Sequence, residues 1–229
     1  TTANAILGFN QMSLAKFLFI IAKEENSPSA KDEEAYFKFV LERIDPTRDF
    51  HFQTRTTIDT LDYSGTDLNA GSKLVIAACG DKKRELNNTI PELQLPSGFS
   101  QPAVVFEGVL AIQGSKYADG SDVKKLTEAL GSQVDKLTGF PLICLVDDSE
   151  FTAQTLNNFL WVTFTRSNPS HDVHGVGEFI ENKHWGCTGP VVIDARIKPH
   201  HAPPLIKDSV VEQRVDRLGI SGASLHGLI

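Results

Sequence analysis

Short apolar runs and helical-period segments alternate along the 229-residue chain. "KFLFIIA" (16–22) is a continuous apolar run of the kind that forms a buried parallel strand. An acidic turn, "KEEN", follows. Tyr36, Phe37, Val40, Leu41 and Ile44 then recur at helical spacing, with Ser29 or Asp32 as the cap that starts the helix. Asp45-Pro46 ends it, because a residue before proline avoids the helical region. "DFHFQTRTTI" alternates as a strand, and after the turn "NAGS", "KLVIAAC" predicts another buried strand.

The order then recurs. "PAVVFEGVLAI" predicts strand material and "SDVKKLTEALGSQVDKL" an amphipathic helix with Val123, Leu126, Leu130 and Val134 on one face. "FPLICLV" is a strand, "DDSE" an acidic turn, "AQTLNNFLWVTFTR" a helix stopped by Asn168-Pro169, and "GPVVIDA" the last strand. An offset of 123 maps residue 45 on 168 and runs without a gap from residue 14 to residue 50, with seven identities in those 37 pairs, Arg43/Arg166, Pro46/Pro169 and Asp49/Asp172 among them. The pattern predicts an α/β fold of two tandem, similar βα units with mostly parallel sheets flanked by helices. The units are read as 1–85, beginning at "ANAILGFNQMSL" without a leading strand, and 86–229, with residues 81–102 as the connection. Beyond "PHHAPP", a short helix "SVVEQRVDRLG" and a Gly/Ser-rich tail are expected to pack on a neighbouring surface.

Composition narrows the function classes. Net charge is −7, and no basic cluster accompanies aromatics, so a nucleic-acid surface is not expected. The longest apolar runs are far shorter than the roughly 20 residues of a membrane span. Cys79, Cys144 and Cys187 are odd in number and widely separated, which reads as reduced, buried thiols in a cytoplasmic protein.

Explicit catalytic motifs are sparse. No G-x-G-x-x-G or Walker loop is present. Lys73 leads straight into a buried strand, where its amine either stays solvated or reaches an anion. Asp147-Asp148 and their counterparts Glu24-Glu25 sit at strand C-termini, where α/β proteins place sites, but adjacent acids point apart. His200-His201 are neighbours and lack ligand-spaced partners, and His171 and His174 would share a metal only on a helix that Pro169 opposes. The recurring Arg-x-x-Pro-x-x-Asp reads as an Arg–Asp pair closing a helix-to-strand corner, or as a ligand contact.

The residues "ERIDPTRDFHF", "TTIDTLDYS" and "AGSKLVIAA", in that order over about 70 positions, resemble the C-terminal domain of the UbiD family of decarboxylases. Thr57 stands for the family's usual proline. The second half keeps "TRSNPSHD" and "GPVVIDA" but has no "IDxLD" stretch, and Pro190 stands in the place of Lys73. The resemblance implies reversible, non-oxidative decarboxylation of aromatic or unsaturated acids with prenylated flavin mononucleotide, a divalent metal (Mn or Mg) and K⁺. It implies that metal ligands and the catalytic acid set lie in an upstream flavin-binding domain of the same protein, that this fragment holds no catalytic or metal residue and is inactive alone, and that the protein is a homo-oligomer. It assigns the loop Thr57–Tyr63 to cover the flavin, with Ile58, Leu61 and Tyr63 facing substrate, and Gln11 and Lys73 near the cofactor. The first unit would face the active site and the second would serve assembly. A purely structural interaction domain is the alternative, and a free-standing small-ligand domain a weaker one.

Overall fold

The computed structural model describes residues 1–203, 206 and 208–228. The chain opens with α1 (Thr2–Leu7), a 3₁₀ turn at Asn10–Leu14 and strand β1 (Phe17–Ile21). Helix α2 (Glu33–Arg43) follows, then β2 (Phe50–Thr57) and β3 (Ala70–Ala78). Asp32, not Ser29, starts α2: its side chain accepts the Ala35 N–H at 3.1 Å. These strands form a sheet in the order β1-β3-β2, with β1 parallel and β2 antiparallel to β3.

The second half begins with β4 (Phe99–Phe106) and β5 (Val109–Gly114), an antiparallel hairpin. The sequence reads part of this stretch as strand material without dividing it. Gly108, at φ +88°, takes the left-handed turn that folds it in two. Helix α3 (Asp122–Gly131) leads through a 3₁₀ turn at Val134–Leu137 to β6 (Leu142–Val146). The long helix expected next is broken into α4 (Ser149–Gln154) and α5 (Leu156–Thr165), because Thr155 is fully extended and its hydroxyl caps α5 at the Asn158 N–H. After α6 (Pro169–Asp172) come β7 (Val173–Gly175), the two-stranded ribbon β8 (Glu178–Glu181) and β9 (His184–Cys187), β10 (Val191–Asp194) and α7 (Ser209–Gly219). The second sheet runs β4-β5-β6-β10-β7, with β5, β6 and β10 parallel. The fold is α/β as expected, but both sheets are mixed, since β2, β4 and β7 run antiparallel to their neighbours.

One core joins the two sheets. Phe50, Leu74 and Ile76 of the first meet Leu142, Cys144, Val191 and Ile193 of the second, with Phe37, Val40 and Leu41 from α2 and Phe159 and Val162 from α5 between them. Alternate residues of the second sheet, Leu110, Ile112, Ile143, Leu145 and Val192, face the other way onto Val123, Leu126 and Leu130 of α3. Cys144 and Cys187 are buried and burial pushes both thiols up to about 12, but Cys79 is exposed, one residue beyond the end of β3. Nor does the tail pack as expected. Helix α7 buries no side chain, and Val210, Val211 and Leu218 stand in solvent. Pro204 of "PHHAPP" lies outside the described residues.

Candidate functional site

The loop between β2 and β3 is built by its own acids. Asp59 accepts the Leu61 N–H at 2.8 Å, and Asp62 accepts the N–H and hydroxyl of Ser64 at 2.9 and 2.6 Å. Such side-chain-to-backbone turns let the chain reverse without regular structure. They also sort the apolar residues. Leu61 and Tyr63 point outward, 80% and 57% exposed, whereas Ile58 is 1% exposed. The expectation that Ile58 faces substrate is therefore corrected: it is the plug beneath the loop. Glycine is required against it, since a Cβ on Gly71 would lie 2.7 Å from Ile58 Cδ1.

Lys73 is corrected in the same way. Its ammonium donates to the carbonyls of Thr57 at 2.7 Å and Ala15 at 3.1 Å, and the residue is 3% exposed. Burial lowers its pKa from the ordinary lysine value, with the Asp62 carboxylate opposing. The amine ties the start of the loop and the segment before β1 to β3 and is not free for a cofactor. Ser72 reaches across to the second unit, donating to Asn168 Oδ1 and accepting the Ser170 N–H at 2.8 Å. Each residue of Gly-Ser-Lys thus has a packing or bonding reason inside this chain. Gln11 lies exposed on the 3₁₀ turn before β1.

Beneath the loop lies a buried charged network that sequence reasoning missed. Lys16 pairs with Asp62 at 2.8 Å and donates to Ser64 Oγ at 2.6 Å. Its pKa is lowered by burial, while Asp62 pulls it back up. Ser64 Oγ is 3.3 Å from the Ser167 carbonyl oxygen, so the loop is fixed to the second unit as well. There Asp172 accepts the Asn168 N–H at 2.6 Å and pairs with Lys198 at 3.3 Å; burial raises its pKa against the pull of Lys198. Lys198 also donates to the carbonyls of Asp194 and Arg166 at 2.8 and 3.2 Å. Arg196, wholly buried, bonds both oxygens of Asp194 and of Asp122. Burial alone would lower its pKa, but the two carboxylates outweigh that and hold it charged. His201 accepts the Lys198 N–H at Nδ1, and its buried Nε2 has no hydrogen-bond partner among the described residues. Burial first, then the nearby cations, push its pKa down to about 4, so the ring is neutral. The legible signal was a charged residue abutting each buried strand, Lys16 before β1 and Arg196 after β10. Nothing local said that the charges converge.

The recurring corners also differ from expectation. Asp49 and Asp172 each accept the N–H four residues upstream, of Asp45 at 2.8 Å and of Asn168 at 2.6 Å. The arginines go elsewhere. Arg43 pairs with Glu42 and stacks on Phe39, and Arg166 pairs with Asp147. The Asp alone closes the corner by reaching back to an upstream N–H, as the acidic member of a capping box does.

What remains accessible is an apolar, rigidly anchored surface: Leu61, Tyr63 and Leu68 on the loop, beside a cleft of about 250 Å³ that His200 helps to line. No group of three His, Cys, Asp or Glu side chains suited to a metal exists among the described residues. Residues 1–78 match the family described as 3-octaprenyl-4-hydroxybenzoate carboxy-lyase C-terminal domain. They are a C-terminal domain of this UbiD family. Three chlamydial proteins align with nearly the whole chain. An uncharacterised protein of Chlamydia trachomatis serovar D is 33% identical over 217 residues, 93% of this chain and 35% of that protein. A Chlamydia pneumoniae protein, named as a subunit of 4-hydroxybenzoate decarboxylase, is 32% identical over 94% of this chain and 35% of its own length. An uncharacterised Chlamydia muridarum protein is 30% identical over 93% of this chain. The chain thus spans about a third of the length of these relatives, and the UbiD-type loop, "IDTLDYSGTDLNAGSK", falls inside the matched domain.

Proposed function

We propose that the chain is the C-terminal capping and dimerising part of a longer, cytoplasmic UbiD-type carboxy-lyase that decarboxylates an aromatic or unsaturated acid, and that it is inactive alone. The observation that carries this reading is the family match over residues 1–78, which contains a loop presenting Leu61 and Tyr63 from a buried charged foundation. The decarboxylase name carried by the Chlamydia pneumoniae relative supports the same reaction class. Prenylated flavin mononucleotide and a divalent metal, Mn or Mg, belong to this proposal for the whole enzyme. The residues of this chain do not fit as their holders: Lys73 is committed to two carbonyls, and the described residues offer no ligand trio. The chain's own contribution is a dry, shaped surface against the upstream flavin domain.

The same reading takes residues 1–85 and 86–229 as two copies of one unit, the first turned to the active site and the second to homo-oligomer contacts. The gapless offset, the matching orders β1-β3-β2 and β6-β10-β7, and the two Asp-closed corners support it. A second reading, a purely structural interaction domain, draws on the number of motif side chains that are internally bonded, Asp62, Ser64, Ser72 and Lys73 among them. Reconstituting the longer natural protein with prenylated flavin and Mn or Mg, and measuring CO₂ release from 4-hydroxybenzoate-like acids, separates the two. Turnover by the longer protein and none by 1–229 is the expected result. Turnover by 1–229 alone overturns the capping role, and none by either favours the structural reading.

A further inference from the structure

The two equivalent apolar strands β1 and β6 are buried very differently. Every residue of β6, Leu142–Val146, is buried, whereas every residue of β1, Phe-Leu-Phe-Ile-Ile, is only half-buried. The reason is the sheet edge. β6 lies between β5 and β10, but β1 has β3 on one side and, among the described residues, no strand on the other. A wholly apolar strand at an open edge breaks the usual protection of edges by charge, proline or cover.

Backbone direction marks what is missing. The Lys16 carbonyl and the Ala22 N–H bond to β3, at Leu74 and Ala78, so Phe19 and Ile21 turn their N–H groups away from β3; that of Ile21 already meets the Tyr36 hydroxyl, and that of Phe19 faces the open side. Phe19 maps by the 123 offset on Leu142, whose N–H bonds the Gly108 carbonyl at the head of β5. The Phe19 carbonyl meets the Tyr36 hydroxyl at 3.1 Å and has a second lone pair to spare. The entry path of the chain agrees. Helix α1 maps inside α3, and Thr1–Asn4 line a cleft together with Ile20, Ala77 and His51, near the C-terminal ends of β1 and β3. In the second half, β5 reaches that same end of its sheet at Gly114 before α3 returns from Asp122. A right-handed strand–helix–strand crossover would bring the polypeptide to Thr1 from a strand parallel to β1.

We infer that the open edge of β1 is the docking site for a parallel β-strand of the polypeptide that precedes Thr1 in a longer chain, taking the place that β5 takes beside β6. The inference rests on the proposed function, in which this chain is the C-terminal part of a longer protein, as the C-terminal-domain match and the greater length of the relatives suggest. Hydrogen exchange on the longer natural protein tests it. The Phe19 amide is expected to exchange as slowly as its equivalent Leu142, about 100-fold slower than an open-edge amide. If it exchanges at edge rates in the longer protein, the inference fails, while the proposed enzymatic role stands. Protection that fades on dilution gives the edge to a second copy and also overturns it. A natural protein with a mass of only 25.1 kDa removes the reading on which it rests.

Discussion

The corners at residues 44–49 and 167–172 make the same local bond and live in different surroundings. In each, an Asp accepts the N–H of the residue before proline. At the first corner Asp45 and Pro46 are half-buried, and the partner of Asp49 is Arg48, a largely solvent-exposed side chain. At the second corner Ser167, Asn168 and Pro169 are buried, and the partner of Asp172 is the buried Lys198. The first faces an open cleft of about 380 Å³, lined in part by Lys83 and Arg84, while the second is roofed by Ser64 of the β2–β3 loop and Ser72 of β3. Identical local chemistry can thus be a modest turn device in one place and the keystone of a buried ionic network in another.

Removing the carboxylate should break this comparison open. Asp172→Ala leaves Lys198 buried without its partner charge and Asn168 without its cap, and is expected to cost about 3–5 kcal/mol by chemical denaturation. A loss as small as that of the first corner would mean that Lys198 finds another counter-charge. Next in size is the outward surface that this network supports. Leu61→Asp in the longer enzyme would set a carboxylate near the substrate's own; at an effective dielectric of about 20 and roughly 6 Å the repulsion is about 3 kcal/mol, or a hundredfold in activity. Because Leu61 buries little, the melting temperature should not move, and full activity or outright unfolding would refute the lid role. Asp49→Ala, the counterpart of the first test, should cost about 1–2 kcal/mol, since Arg48 remains solvated.

The smallest effect is a pH dependence confined to the second unit and its flank. Folded His201 resists protonation down to about 4, and burial lowers His174 too, whereas an unfolded histidine titrates near 6.5. The unfolded state therefore binds more protons as pH falls from 6.5 towards 4, and stability is lost across that window. Asp172 works in the opposite sense: its raised pKa means that its protonation favours the fold as pH falls. Denaturation midpoints measured from pH 7 to pH 4 should decline less in a His174→Gln/His201→Gln variant. Equal slopes would remove the histidines from the account.

Local signals were sufficient for much of the fold. Apolar runs marked β1, β3, β6 and β10, and helical spacing with Asp-Pro or Asn-Pro stops bounded α2 and α5. These features depend on residues within one element or one turn, which is why the sequence by itself determined them. The split at Thr155 and the hairpin at Gly108 were written in single residues whose backbone conformation a periodic reading averages away. Only the tertiary structure decided the direction of the loop side chains. Ile58 goes inward because Gly65 and Gly71 leave room for it, and Lys73 is spent on carbonyls 16 and 58 residues away. Likewise Lys16, Asp62, Ser64, Asp172 and Lys198, spread over most of the chain, become one network only when the loop lies on the second corner. A buried charge is tolerable only where its partners converge, and convergence over such separations is a property of packing, which no local stretch of sequence encodes.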